Sequence, residues 1–322
     1  MQYIDVQGRR ISQLIMGSDS FTPDDSERVR TMLDTYLELG GNTIDTARIY
    51  RGGQSESAIG QWLQAGAHRA EVNLLTKGAH HDARGPRVTP QAIADDLAAS
   101  LDQLRTDYID LYALHRDDPA VSVGPIIEAL NHAVEQGRIR VLGASNWTTA
   151  RIAEANRYAA DHGLQGFAFS SPNFSLATAK EPFWPGCVVA EEATISWHRK
   201  TGLPLLSWSA QGRGFFTGRY GPEDRTNPDL VRVFYSEANW ARYRRAEQLA
   251  ADKGVATIQI ALAYVLSQSF PTGAIVGPET PAELRSCRQA ADIRLTAREV
   301  KWLENGRGDR SELPGPGDED YL

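Results

Sequence analysis

The stretch 40-GGNTIDTARIYRGGQSESAIGQWLQAGAHRAEVNLLTKG-78 decides how the rest of the chain is read. Residues 43–46 and 72–76 are short apolar runs, and residues 55–64 between them carry helical spacing. Apolar runs without polar alternation suit parallel strands covered on both faces, and a helix is the usual way to connect two such strands. The glycine pair at 40–41 closes the helix before the first run.

The same unit recurs in both directions. Toward the N-terminus, residues 14–17 read as a buried strand and 25–39 as an amphipathic helix. Ahead of these, residues 3–6 and 10–12, separated by Gln7-Gly8-Arg9, read as a short hairpin. Toward the C-terminus, Thr89-Pro90 supplies an N-cap and a proline at the first helical position for a helix to 104. Strands then follow at 108–114, 140–144, 167–170, 203–209 and 274–276. Helices follow at 123–135, 148–161, 188–201, 238–252, 257–267 and 281–290. That makes eight strand-then-helix units, which an open doubly wound sheet or a closed barrel could accommodate. Eight units in one chain favour the barrel, and no GxGxxG follows the first strand, as a dinucleotide-binding open sheet would require. The expected fold is α/β: a (β/α)₈ TIM barrel with a short N-terminal β-hairpin, 1–322 being one domain. Residues 306–322, rich in Gly, Pro and acid, are expected to be a flexible tail. The long connections, 172–186 and 212–239, both leave C-terminal strand ends, the face where barrel enzymes keep their chemistry.

Composition narrows the function. A net charge of −7 argues against nucleic acid as a partner. The local cluster Arg242, Arg244 and Arg245 reads as a solvated helix face. Two cysteines, Cys187 and Cys287, exclude a disulfide framework and have no metal-type spacing, so no metal is expected. No stretch approaches the roughly 18 apolar residues of a membrane span. A cytoplasmic location follows as the expectation, with a small molecule as partner and either a monomer or a homo-oligomer.

Four chemistry-bearing residues stand at or just beyond strand ends: Asp45, Tyr50, Lys77 and His115. In a barrel these ends converge on one mouth. A phenol has an ordinary pKa of about 10, and a nearby ammonium favours its ionised form. Lys77 would thus lower the Tyr50 pKa, Asp45 would fix and charge-stabilise the lysine, and His115 would orient a carbonyl oxygen. The set describes a general acid that protonates an oxygen as hydride reaches its carbon. Singly, each residue has a plainer use: a rim ion pair, a turn cap, a packing ring, a satisfied histidine. Together they describe one site.

These segments resemble the aldo-keto reductases. The likeness runs from about 11 to 303 and rests on GGNTIDTARIY with SESAIG, LLTKG, LYALHRDD and RIRVLGASNW. It implies a catalytic tetrad of Asp45, Tyr50, Lys77 and His115, with Tyr50 the proton donor, and NADP or NAD as cofactor. It implies that Ser145 and Asn146 bond the nicotinamide carboxamide, with Gly17, Ser18 and Asp45 nearby. LLSWSAQGRGFFTGRY resembles the segment whose aromatic, here Trp208, stacks on the nicotinamide, followed by a pyrophosphate loop containing Ser209, Gln211, Gly212 and Gly214. Ser171 stands where a glutamine is usual beside the carboxamide. At the adenosine end, Gly277, Glu279, Glu283 and Cys287 occupy the corresponding places. The family prior favours NADP(H), but two carboxylates suit a ribose hydroxyl and repel a phosphate, which favours NAD(H) unless Arg285 or Arg288 swings in. Glu279 and Glu283 also suit the first turn of a helix.

Trp147 and Trp184 are expected to wall the substrate pocket with Tyr50 and His115, joined by Phe174, Phe183 and Trp208. Aromatic faces suit sugar rings as well as apolar ketones. Two other functions fit the same residues. One is a nucleotide-sensing subunit like the channel-associated β subunits, and the other is a lyase or isomerase barrel using Lys77 as a Schiff-base amine.

Overall fold

The computed structural model describes residues 1–307, so most of the proposed tail, 308–322, lies outside the described residues. A hairpin of β1 (Tyr3–Val6) and β2 (Arg9–Ser12) precedes a closed barrel of eight parallel strands. The barrel strands are β3 (Leu14–Gly17), β4 (Thr43–Asp45), β5 (Asn73–Gly78), β6 (Ile109–Leu114), β7 (Ile139–Ser145), β8 (Phe169–Ser171), β9 (Leu205–Ser207) and β10 (Thr272–Val276). They pair in chain order, and β10 closes on β3 through Ala274–Leu14, Ile275–Ile15 and Val276–Met16.

The outer layer is α1 (Ser26–Glu38), α2 (Gln54–Gly66), α3 (Pro90–Leu104), α4 (Val123–Glu135), α5 (Thr149–Asp161), α6 (Glu192–Thr201), α7 (Pro228–Phe234), α8 (Glu237–Lys253), α9 (Thr257–Leu266), α10 (Pro281–Ala290) and α11 (Ala297–Asn305). No single described helix is long and apolar enough to cross a membrane.

Three expectations needed correction. The helix expected from 188 begins at Glu192, because Val188 and Ala190 instead bond the backbone of Asn173 and extend that loop beside the barrel. The connection expected at 212–239 contains a 3₁₀ segment, Gly212–Thr217, and α7, which is capped by the Asn227 side chain with Pro228 at its first position. Beyond the last barrel helix, α11 carries a Thr296–Glu299 capping box. Arg242 and Arg245 hydrogen-bond the carbonyls of Leu303 and Glu304, so two of the three clustered arginines cap the end of α11 rather than lie free on a solvated face.

Inside the barrel, Ile15, Leu75, Leu111, Ala113, Val141, Phe169, Leu206 and Ile275 form one apolar cluster, which Val6 and Ile11 of the hairpin join from the N-terminal side. The hairpin therefore stoppers one end, and the C-terminal mouth is the accessible one. Gly143 is part of that packing. A Cβ there would sit 2.1 Å from the Phe169 ring, so only glycine leaves room for the phenylalanine.

A second tie holds hairpin, β3 and β4 together. The fully buried Tyr36 hydroxyl lies 2.7 Å from Ser12 Oγ and 2.7 Å from Leu14 O, and accepts from Thr43 N at 3.1 Å. Burial pushes its phenol up to about 12, with Ser12 opposing, so it stays a neutral donor. Tyr36→Phe strips those buried groups of their partner, which costs about 1–3 kcal/mol. Urea unfolding should show that loss with an unchanged m-value, and a loss below about 0.5 kcal/mol would refute the tie.

Candidate active site

Strand geometry explains why the site assembles. Side chains alternate across a strand, so residues two apart share a face. Ile15, Leu75, Ala113, Phe169, Leu206 and Ile275 point into the barrel. Two residues on, at the open end, come Gly17, Lys77, His115, Ser171, Trp208 and Gly277. Asp45 and Ser145 end β4 and β7 in the same phase.

Lys77, 2% exposed, is the hub. Its Nζ donates to Asp45 Oδ1 at 2.5 Å, to Thr46 O at 2.9 Å and to Tyr50 Oη at 3.3 Å, so all three N–H groups are committed. Burial works against its charge, but Asp45 and then Tyr50 outweigh it and the ammonium's pKa is raised. Burial likewise drives the Asp45 carboxyl up, opposed by Lys77. For Tyr50 the expectation of a lowered pKa is overturned. Burial dominates and pushes the phenol up to about 12, and Lys77 only tempers it. The arrangement is thus a firmly protonated phenol with a cation in place to meet its conjugate base.

The Tyr50 ring meets His115 edge-on, with centroids 5.8 Å apart. Burial, then the charges of Lys77 and Arg116, hold His115 well below its ordinary value, so the imidazole is neutral. Its Nδ1 is buried without a protein partner.

Beside the tetrad, Ser145 Oγ donates to Ser171 O, while Asn146 donates to His115 O and its Oδ1 accepts from Trp208 Nε1 at 3.2 Å. Ser171 Oγ is fully buried with no partner, the kind of orphan that a ligand amide completes. After β9, Ser209, Gly212, Arg213 and Gly214 all take positive φ (53°, 61°, 51° and 85°). Consecutive left-handed residues turn backbone N–H groups toward one side, as an anion cradle needs. A nicotinamide dinucleotide fits this donor set.

Not every candidate meets there. The Ser18 hydroxyl is committed inside the protein, to Asp45 O and Ser55 Oγ, both at 2.8 Å. Cys287, 5% exposed, points its thiol at Gln211 Oε1, 3.5 Å away, and burial raises its pKa to about 12. Glu283 accepts from Glu279 N at 2.7 Å and so caps α10, the helix-turn use open to it from sequence, while the Glu279 side chain remains exposed. Arg288 is paired with Asp292 at 2.6 Å, whereas Arg285 is exposed with no ion pair among the described residues. Trp147 is a correction. It is 3% exposed, packs edge-on against Phe167 in the strand–helix layer and donates Nε1 to Arg116 O. The positive φ of Asn146 (59°) precedes this residue, which packs outside the barrel and not at a pocket wall. Phe174 and Phe183 are core residues too. Trp184, 46% exposed, does stand near Trp208, with centroids 6.0 Å apart and the Arg213 guanidinium over its ring. His80, 4.8 Å from His115, and Arg116 were missed, although a run of charges directly after His115 was a visible signal.

The model of the Aldo/keto reductase family matches residues 13–305. The chain belongs to the aldo-keto reductase family. Norsolorinic acid reductase B of Aspergillus parasiticus is 31% identical over 92% of this chain and 81% of its own length. An aryl-alcohol dehydrogenase of Pestalotiopsis microspora is 28% identical over 85% of this chain and 71% of its own. An uncharacterized oxidoreductase of Bacillus subtilis is 27% identical over 98% and 97%. A crystal structure of a thermostable aldo-keto reductase with the inhibitor epalrestat superposes with TM-score 0.74 at 25% identity, covering 94% of this chain and 99% of that one. This aldo-keto reductase is an oxidoreductase by family membership.

Removing one member of a buried ion pair costs about 3–5 kcal/mol, because the other charge is left alone. Lys77→Met should lose stability in that range, and Lys77→Met with Asp45→Asn should recover most of it. Chemical denaturation of both variants checks this, and equal stability of the single and double variants would refute the pairing.

Proposed function

We propose that this chain reduces an aldehyde or ketone, or oxidises the matching alcohol, in partnership with a nicotinamide dinucleotide, with Tyr50 as the proton donor. The observation that carries the proposal is the single buried ammonium of Lys77 shared between Asp45 and Tyr50. Ser145, Asn146, Ser171, Trp208 and the loop from Ser209 to Gly214 would hold the dinucleotide, which supplies or accepts hydride. Tyr50 gives its proton to the substrate oxygen as negative charge builds there, and Lys77 stabilises the phenolate left behind. Asp45 keeps Lys77 charged and oriented. The neutral His115 can hold the oxygen by hydrogen bond without competing for the proton. A Schiff-base role for Lys77 is disfavoured, since its three N–H groups are bonded and its pKa is raised.

One relative is named for an aryl alcohol, and the exposed Trp184 beside Trp208 offers faces for an aromatic ring. For the cofactor we propose that NADPH binds no more than modestly better than NADH. Glu279 repels a phosphate, Arg288 is paired, and Arg285 alone is available to attract one.

Tyr50→Phe should lower kcat by about 10²–10⁴-fold with dinucleotide affinity nearly intact, and a variant retaining half of wild-type kcat would end the assignment. The raised phenol pKa makes the acid form persist, so reductive kcat/KM should be flat from about pH 6 to 9. The oxidative direction needs the phenolate and should rise across that range. Titration of both cofactors by fluorescence quenching tests the third point. A preference for NADPH above ~100-fold would refute it, since each charged hydrogen bond is worth roughly tenfold or more, and Glu279→Arg should raise NADPH affinity alone.

A further inference from the structure

A cavity of about 250 Å³ has His81, Arg87, Arg116, Asp117, Pro185 and Gly186 among its walls. A chain of ring contacts links it to the tetrad. Tyr50 contacts His115, His115 contacts His80 at 4.8 Å, His80 contacts His81 at 4.1 Å, and Arg116 follows His115 in the chain.

The charges in its wall are unequal in their partners. Arg87 is held by both oxygens of Asp96, at 2.9 and 3.0 Å. Asp117 accepts from Arg151 at 3.2 and 3.5 Å, so the one carboxylate of the wall is already neutralised. Arg116 has no such partner. It is 7% exposed, forms no ion pair among the described residues, and donates Nη1 only to the carbonyl of His115, at 2.9 Å. Its Nε is buried with no acceptor.

Its backbone is fixed by Trp147, which donates to the Arg116 carbonyl at 3.0 Å, and Gly186 packs beside the side chain, where a Cβ would stand 3.3 Å from Cδ. A guanidinium carries five N–H donors and is never neutral in proteins. Burying one without a counter-charge is costly, and its fork matches an oxyanion in both shape and charge. A buried arginine with no ion pair among the described residues, lining a cavity and next in the chain to His115, is a site prepared for an anion.

We infer that Arg116 binds an oxyanion of the substrate, so that the preferred substrate is a carbonyl compound carrying a carboxylate or phosphate group a short distance from its reacting carbon. Arg116 is then the residue that sets specificity. The inference rests on the proposed carbonyl reduction and names the substrate class of that site.

The test uses 4-carboxybenzaldehyde, its methyl ester and 4-formylphenyl phosphate with the full-length enzyme and NADPH or NADH. One charged hydrogen bond corresponds to about tenfold to a hundredfold, so an anionic aldehyde should exceed the ester in kcat/KM by that factor, mainly through KM. Whichever of carboxylate or phosphate gives the larger ratio identifies the group. Arg116→Gln should collapse the ratio toward one, and Arg116→Lys should restore part of it, with thermal melts verifying that both variants fold. A purely structural arginine would lower turnover of acid and ester equally. Acid and ester turned over within threefold of each other by wild type would overturn the inference while leaving carbonyl reduction standing. If none of the aldehydes is reduced, the carbonyl proposal fails for them. Calorimetry with 4-(hydroxymethyl)benzoate then decides the inference alone: binding to wild type must be at least tenfold tighter than to Arg116→Gln, and equal binding overturns it.

Discussion

Closure of the eight parallel strands on one another is the constraint from which the site follows. A strand alternates its side chains with period two, so a closed barrel has one inward set of side chains on each strand. The inner layer that contains Leu75, Ala113, Phe169 and Ile275 is apolar. The next inward position on each strand lies at the mouth, and Asp45, Lys77, His115, Ser145, Ser171 and Trp208 occupy it. The hairpin packs Val6 and Ile11 against the N-terminal end of the apolar layer, which leaves these polar groups at the opposite, C-terminal mouth. The core thus sets the phase, and the phase determines which side chains can meet.

Burial then sets the electrostatics. Lys77 and Asp45 sit in a low-dielectric floor, where an unpartnered charge would be expensive and a paired one is held in a single geometry. Tyr50 shares that floor, which explains why its phenol is less acidic than an ammonium neighbour alone would suggest. On the proposed proton transfer, the lysine's contribution falls on the ionised tyrosine, where a pre-oriented charge acts most strongly. His115 stays neutral because burial, and then the cationic Lys77 and Arg116, disfavour a charge on it, whereas Lys77 has Asp45 to offset its burial.

The loops were less legible than the strands. A tryptophan following Ser145-Asn146 looks from sequence like a pocket wall, yet Trp147 packs against Phe167 and supports Arg116. Phe174 and Phe183 are core residues, while Trp184, next to Phe183 in the chain, is exposed. Local pattern does not distinguish these cases, because a loop has no fixed period to relate neighbouring side chains. Glu279 and Glu283 show the same limit. Both suit a helix start and both suit a ribose, and only the observed bond from Glu279 N to Glu283 shows which use one of them has taken.

The sequence by itself determined the architecture and which four side chains, Asp45, Tyr50, Lys77 and His115, meet at the mouth. Eight apolar runs joined by amphipathic helices leave few topologies, and a polar residue ending an apolar strand has only one mouth to face. It also carried the signals for α7 and α11, in Asn227-Pro228 and in the Thr296–Glu299 capping box. What the tertiary structure alone decided was which polar groups have partners. Arg87, Arg116, Arg151 and Arg288 are equivalent letters in the chain, but three of them are in ion pairs and Arg116 has none among the described residues. Whether a charge is satisfied depends on groups distant in sequence and on the water that folding removes, and a one-dimensional pattern records neither.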